Sequence, residues 1–374
     1  MPLNVKYSAY FDSPSGMSQA ARNYIQSLHL AGVPVTTENI ANIVATQDLG
    51  ETHRTAHLLL GRDLDYKIKI IHVTPDLVTK YLEPLKYHIF HLFWETDRLP
   101  DWWVWSLNLV DEIWTGSEYA KQVFIKSGVK RPIFVFPQAV DTPPESLAIA
   151  PSHKRPSFLF YSIFQWIERK NPKSLLMAYW KEFQGNKDVG LLIKTYKNGF
   201  TQEETSQIMR EILAWKKSLH QEHYPKVFLC PEELSRDDVW RLHSLGDCFV
   251  SAHRNEGWGI PIAEALKMGK PVISTNLGGV HEFIPKDAAL LTDFTMCNVF
   301  NMDFVSWYDQ TQQWAQVDEG DLRKKMRAVY DNQEDSKKMG ERGRKFANDK
   351  LSYLAVGSAL KSRIADIYKE LEKD

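Results

Sequence analysis

The sequence predicts an α/β protein built from two doubly wound domains in tandem. Three observations carry this expectation. Short apolar runs alternate with helix-patterned stretches from end to end. The alternation breaks once, at a proline-rich segment, and then restarts. The chain has 374 residues, enough for about two domains of ordinary size. Alternation of strand and helix predicts a parallel sheet covered on both faces, with ligands at the carboxyl ends of the strands. Two such domains are expected to face each other across a cleft.

The elements of the first half follow in order. VKYSAYF (5–11) reads as a strand, and the polar DSPSGMS as a turn. Residues 19–31 read as an amphipathic helix with Tyr24, Leu28 and Ala31 on one face; Gly32 closes it and Val33-Pro34-Val35 opens the next strand. KIKIIHVTP (67–75), YHIFHLFWE (87–95), DEIWTGS (111–117) and PIFVFPQ (132–138) read as strands, with helices after Pro100 and Ser117. Residues 139–156 hold four prolines and no periodicity. The expected division is a domain at 1–140, a linker at 141–156, and a second domain at 157–345. In the second domain SFLFYSIF (157–164), VGLLIKTY (189–196), KVFLCP (226–231), DCFVSAH (247–253), KPVIST (270–275) and AALLTD (288–293) read as strands. Helices are expected near 172–184, 203–222, 235–245 and 261–268, and the charged stretch from about 319 to 374 reads as helical.

Composition narrows the function classes. Lys+Arg is 46 against Asp+Glu 47, so no global field favours nucleic acid or an anionic membrane. No apolar run approaches the ~18 residues of a membrane span, and MPLNVKYSAYF lacks the apolar core of a signal peptide. The three cysteines are odd in number and far apart, which indicates neither a disulfide framework nor a zinc site, so a reducing cytoplasm is expected. Of the twelve tryptophans most are expected to fill cores, although large aromatics also stack on sugars. Lys121, Lys126, Lys130 and Arg131, on or just after the helix expected at 118–128, make either a solvated face or a peripheral membrane contact.

The densest signal is RNEGWGIPIAEALKMGKPVIST (254–275), where a strand gives way to a helix between two glutamates. Pro261 suits the first helical turn and Gly269 the position just past the last. Backbone N–H groups at such a helix start favour a nucleotide diphosphate. A carboxylate accepts but does not donate, which matches vicinal hydroxyls of a ribose or sugar. Against this stands the plainer reading that Glu264 favours the helix dipole and Glu256 is a solvated loop charge.

Glu256-x7-Glu264, enclosing Gly257-Trp258-Gly259 and followed by Gly269-Lys270-Pro271-Val272-Ile273, resembles the E-x7-E motif of the retaining glycosyltransferases of family 4. ERKNP (168–172), the stretch VFLCPEELSRDDVWRLHSLGDCFVSAHRNEG, and in the first half FWETDRLPDWW, DEIWTGSEYAKQVFIKSGV and FPQAVD extend the resemblance over most of the chain. It implies the GT-B fold of two Rossmann-like domains. It also implies a sugar moved from a nucleotide-sugar donor with retention of configuration, and neither metal nor cofactor. The acceptor is left open among glycans, lipid-linked molecules, proteins and small molecules. Residues 346–374 resemble the family helix that crosses back onto the N-terminal domain.

By the same resemblance Glu264 takes the ribose, and Glu256 the donor-sugar hydroxyls. The backbone from Gly257 through Trp258, Gly259, Ile260 and Pro261 approaches the donor, and Lys170 with Arg169 offsets charge on the leaving diphosphate. Many members carry an arginine six residues before this lysine; here Phe164 stands there, and Lys194 at the end of a strand is the candidate replacement. Gly16 resembles part of the family's glycine loop, with one glycine where many have two. Trp94 and Glu95, at the end of a strand, are expected to contact donor sugar or acceptor. His88 and His91 cannot both face the ligand side. Gly278, Gly279 and Glu282 resemble a family loop whose role is either binding or structural.

Three other readings stay open. One is a metal-dependent transferase using Asp63-x-Asp65 or Glu95-x-Asp97, although the first pair precedes a strand, at the wrong end for a ligand. Another is a sugar-nucleotide epimerase or phosphorylase of related fold. The last is a sugar-nucleotide binding protein without activity.

Overall fold

A computed structural model describes residues 2–40, 46–144 and 155–373. Most of the expected linker, residues 145–154, lies outside the described residues. The chain forms two compact units, one of Met1–Asp141 with Ala347–Asp374 and one of Thr142–Phe346.

The first unit is a sheet of β1 (Val5–Ala9), β2 (Val35–Asn39), β3 (Ile68–His72), β4 (Tyr87–His91), β5 (Glu112–Thr115) and β6 (Ile133–Val135). All pairings are parallel, in the order β2-β1-β3-β4-β5-β6. β3 is buried along its whole length, which is why its sequence reads as an apolar run without alternation. The helix Gly16–Leu30 follows β1 and is capped by Ser15, whose hydroxyl accepts from the Ser18 N–H. The C-terminal helix Tyr353–Leu371 packs on it so closely that a Cβ at Gly357 would lie 2.1 Å from the Ser27 carbonyl oxygen. Arg363 of the same helix forms an ion pair with the fully buried Glu112 of β5 at 2.6 Å.

The second unit repeats the plan with β7 (Phe158–Gln165), β8 (Val189–Tyr196), β9 (Lys226–Cys230), β10 (Cys248–Ser251), β11 (Val272–Thr275) and β12 (Leu290–Thr292). The order is β12-β11-β10-β7-β8-β9, again parallel. Among the elements that sequence reasoning missed are the short helices Glu51–Leu58, Val78–Tyr81 and Gly279–Phe283, and an antiparallel pair, β13 (Phe294–Asn298) and β14 (Gln313–Val317), anchored by the buried Trp314.

Each sheet has one point where the chain reverses direction across it. In the first unit it lies between β1 and β3, and in the second between β7 and β10. Connections leave opposite faces there, so a crevice opens outside the carboxyl ends of the two strands.

Candidate active site

At the β7/β10 switch point two loops meet. After β7 the chain makes one 3-10 turn, Glu168–Lys170, and enters the helix Pro172–Glu182. Asn171 caps that helix from a left-handed conformation (φ 54°), its side-chain oxygen accepting from the Ser174 N–H. After β10 the loop 252–259 leads into the helix Ile260–Lys267. The loops are tied by the Arg254 N–H donating to the Arg169 carbonyl at 2.7 Å and by Arg169 Nη1 donating to the Asn255 carbonyl at 3.2 Å.

These ties bring three expected residues together. The Glu256 carboxylate accepts from Lys170 Nζ on Oε1 and from Arg169 Nη1 on Oε2, the latter at 3.3 Å. Burial alone would raise the Glu256 pKa; Lys170, Arg169 and then His253 outweigh it and hold the carboxyl at about 2. Glu256 is therefore ionised at neutral pH and acts only as an acceptor. The trio of two cations and one carboxylate carries a net positive charge.

Glu264, in the second turn of its helix, is only 3% exposed. Its Oε1 pairs with Arg236 Nη2 at 2.6 Å, and its Oε2 accepts from His243 Nε2 at 3.1 Å. Burial lowers the His243 pKa against the pull of Glu264, so the imidazole is neutral. One tautomer then satisfies the chain: the Tyr161 hydroxyl donates to Nδ1 at 3.0 Å while Nε2–H donates to Glu264. Two of the carboxylate's roughly four lone-pair sites are taken.

The helix start is sparer in donors than expected. Ile262 and Ala263 donate to the Gly259 carbonyl and Pro261 has no N–H, which leaves Gly259 and Ile260 outside the helical ladder. Gly259 sits at φ 86°, and a Cβ there would meet Val280 at 3.0 Å and Ile262 at 3.1 Å, so glycine is required. Gly257 belongs to the same loop, while Trp258 is buried with its ring stacked on Phe283 at 4.2 Å. The indole fills the core, and the backbone lies along the loop.

Several other residues singled out in the sequence are buried. Trp94 lies beyond the end of β4, 1% exposed, edge-on to Trp103, with its N–H donating to the Arg98 carbonyl, so it offers no face to a sugar. Glu95 is half-buried beside it. Lys194 is buried at the end of β8, its ammonium 4.9 Å from the Phe200 ring centre and 5.7 Å from that of Tyr196. His88 and His91 are both buried; His88 Nε2 accepts from the Glu83 N–H, and His91 Nδ1 meets the Tyr7 hydroxyl. Asp63 and Asp65 are exposed and precede β3, away from its carboxyl end.

Gly278 and Gly279 support the Glu256 loop. A Cβ at Gly278 would fall 1.9 Å from Asn255 Oδ1, and the Gly279 N–H donates to the Glu256 carbonyl at 3.0 Å. Glu282 is exposed. Gly16 is exposed at the first turn of its helix, and a Cβ there would meet nothing within 4 Å, so the fold itself does not demand glycine.

Sequence reasoning missed Arg236, His243, His253 and Arg254. His253 is fully buried beside the trio, and burial pushes its pKa down to about 4 against the attraction of Glu256. Arg254 is 3% exposed, pairs with Glu168 at 2.6 Å, and lies 4.5 Å from the Phe300 ring centre. A pocket of about 320 Å³ opens here, lined among others by Glu168, Asn171, Arg254, Phe300 and Gln316.

Comparison with known proteins places these features. Residues 162–295 match the family model described as glycosyl transferases group 1. A 61-residue stretch is 33% identical to sulfoquinovosyl transferase SQD2 of Arabidopsis thaliana; it is 16% of this chain and 12% of that protein. Sucrose-phosphate synthase from Thermosynechococcus elongatus has a similar structure, with a TM-score of 0.68 at 12% identity over 98% of this chain and 99% of that one. Anabaena HepE in complex with UDP gives 0.63 at 12% identity over 97% and 100%. The pneumococcal O-GlcNAc transferase GtfA in complex with UDP and GlcNAc gives 0.54 at 12% identity over 80% and 57%. At these identities the structural likeness is one of fold: the chain has the two-domain, Rossmann-like GT-B fold, and glycosyltransferase is the class that the family match gives to residues 162–295.

Proposed function

We propose that this protein is a glycosyltransferase that moves a sugar from a nucleotide-sugar donor to an acceptor with retention of configuration and without a metal at the diphosphate. The observation that carries the reading is the Lys170–Arg169–Glu256 trio at the β7/β10 switch point, inside the matched segment. Transfer builds negative charge on the departing diphosphate. Lys170 and Arg169 are preorganised cations for that charge, held in place by Glu256 and by the backbone tie between the two loops. The further lone pairs of the Glu256 oxygens accept from donor-sugar hydroxyls, and the spare lone pairs of Glu264 accept from the ribose. Similar solved structures in complex with UDP favour a uridine nucleotide.

Release of the nucleoside diphosphate from a panel of nucleotide sugars, with the product anomer read by NMR, tests this. One donor should turn over, with its anomeric configuration kept. Lys170→Ala should cut kcat by about 10²–10³, as expected for removal of one preorganised donor at a developing anion. Binding should suffer less, because the charge grows toward the transition state. Inverted product, or unchanged kcat in the variant, contradicts the proposal.

A further inference from the structure

The first unit carries a cluster whose donor set is that of a metal site. Asp12 lies three residues beyond β1, on the loop that leads to Gly16 at the β1/β3 switch point. His53 and His57 stand four residues apart on the helix Glu51–Leu58, so they share one face. Both Nε2 atoms converge on a single oxygen, Asp12 Oδ1, at 3.0 and 2.7 Å. The three donor atoms lie within 4.8 Å of one another. Asn39 Nδ2 donates to the other oxygen, Oδ2, at 2.5 Å, and so aims Oδ1 at the imidazoles. A carboxylate steered by an outer hydrogen bond is a recurrent feature of metal ligation.

The surroundings suit an open site. Asp12 is buried, while the His53 and His57 side chains are 25% and 41% exposed, so the histidine side of the cluster meets solvent. Phe11 packs edge-on against the His57 ring at 5.5 Å and limits its rotation. The nearby positive charge is Arg22, whose guanidinium donates to the carbonyls of Phe11 and Ser13 and to the Gln19 side chain.

We propose that Asp12, His53 and His57 bind one first-row divalent cation of the zinc type, with a fourth position open to water or an oxygen ligand. Bonds of about 2.0–2.2 Å at tetrahedral angles separate donor atoms by roughly 3.4 Å. Opening the two Nε2–Oδ1 contacts by under ~1 Å, with the two Nε2 atoms, which lie within 4.8 Å of each other, brought to the same spacing, seats the ion. Two imidazoles with one carboxylate select zinc, cobalt or nickel over magnesium and calcium, which take oxygen ligands. The site lies in the other unit from the Lys170 trio and stands independently of the transferase reading.

The test titrates the untagged full chain, stripped with EDTA and dialysed, with cobalt(II) and then zinc(II), by visible absorption and calorimetry. One equivalent of cobalt should bind, with the d–d bands of a low-coordinate site, and zinc should displace it. His53→Ala and His57→Ala should each weaken binding at least ~100-fold, and Asn39→Ala by about 10–100-fold, as for the loss of an outer partner. Circular dichroism confirms that each variant is folded, and the exposed His57 is the variant least able to disturb the fold. No saturable cobalt binding, binding unchanged in both histidine variants, or a preference for magnesium overturns the proposal. The readout is metal binding rather than turnover, so its failure leaves the transferase reading untouched.

Discussion

Each sheet reverses its winding once, after two strands in the first unit and after three in the second, and the two switch points differ in charge. At β7/β10 a buried carboxylate, Glu256, is matched by two cations, and a second, Glu264, by Arg236 and His243. At the carboxyl ends of β1, β3 and β4 stand instead Asp12 and a buried neutral group of His72, His91 and Tyr7, joined through the Tyr7 hydroxyl at 2.9 and 3.3 Å. Burial pushes His72 down to about 3 and His91 well below its ordinary value. A parallel six-stranded sheet thus ends in a cluster of ion-paired charges in one unit, and in Asp12 beside a neutral buried group in the other. The sheet fixes where a ligand lies, and the loop charges fix what it is.

The largest expected effect that sharpens this contrast is at Glu264. Removing its charge leaves the Arg236 guanidinium without its counter-ion in a largely buried place, and breaking such a pair costs about 3–5 kcal/mol. Glu264→Gln keeps the volume and should lower the urea midpoint. It should also raise the donor KM by about 10–100-fold, since a hydrogen bond to a charged group is worth about 1.5–3 kcal/mol. KM should move more than kcat, because the ribose contact is made in both ground and transition states. A destabilised variant with unchanged KM would reduce Glu264 to a structural role.

A pair of glycines gives the next comparison. Gly259→Ala forces a left-handed residue and contacts of 3.0 and 3.1 Å, and should cost about 1–2 kcal/mol or more. Gly16→Ala meets open space at a helix start and should leave stability unchanged or raise it by about 0.5–1 kcal/mol. If Gly16 is glycine so that a ligand can approach, turnover should nevertheless fall. Thermal unfolding and initial rates on the two variants check both halves. Full activity in Gly16→Ala would remove that loop from the site.

A further comparison is the pH dependence of stability. His253 is held near 4, below its ordinary 6.5, so its contribution is complete above 6.5 and is lost as the pH falls through 4. Glu256 is held near 2, below its ordinary 4.5, so its contribution is complete above 4.5 and is lost as the pH falls through 2. Urea midpoints should therefore decline in two overlapping stages below about 6.5, and His253→Gln should flatten the upper stage. A wild-type midpoint flat from pH 6.5 to 4 would contradict the burial argument.

Much of this was legible in the sequence, for physical reasons. Strands buried on both faces produce apolar runs that are hard to miss, and VGLLIKTY is a strand over its full length. The same runs overshoot where the chain stays buried after leaving the sheet. YHIFHLFWE continues four residues past His91, and so Trp94 was misplaced at a strand end when it is packed in the core. The helix Glu51–Leu58 is short and polar, and its two site histidines carry no apolar periodicity to announce it. Glu256, Glu264 and Lys170 were found because they sit in contiguous motifs. Arg236 and His243 reach Glu264 across 28 and 21 residues, and no local pattern marks such a partner.

The central claim is that the Lys170–Arg169 cations, and not a metal ion, hold the donor diphosphate. Calorimetric titration of the chain with UDP, ADP and GDP in the presence of EDTA tests it most directly, in wild type and Lys170→Ala. One nucleotide should bind the wild type in EDTA with an affinity that added manganese leaves unchanged. Lys170→Ala should weaken it by about 10-fold or more, for the loss of one charge-assisted contact. Binding that appears only with added manganese or magnesium, or that is the same in Lys170→Ala, would contradict the account.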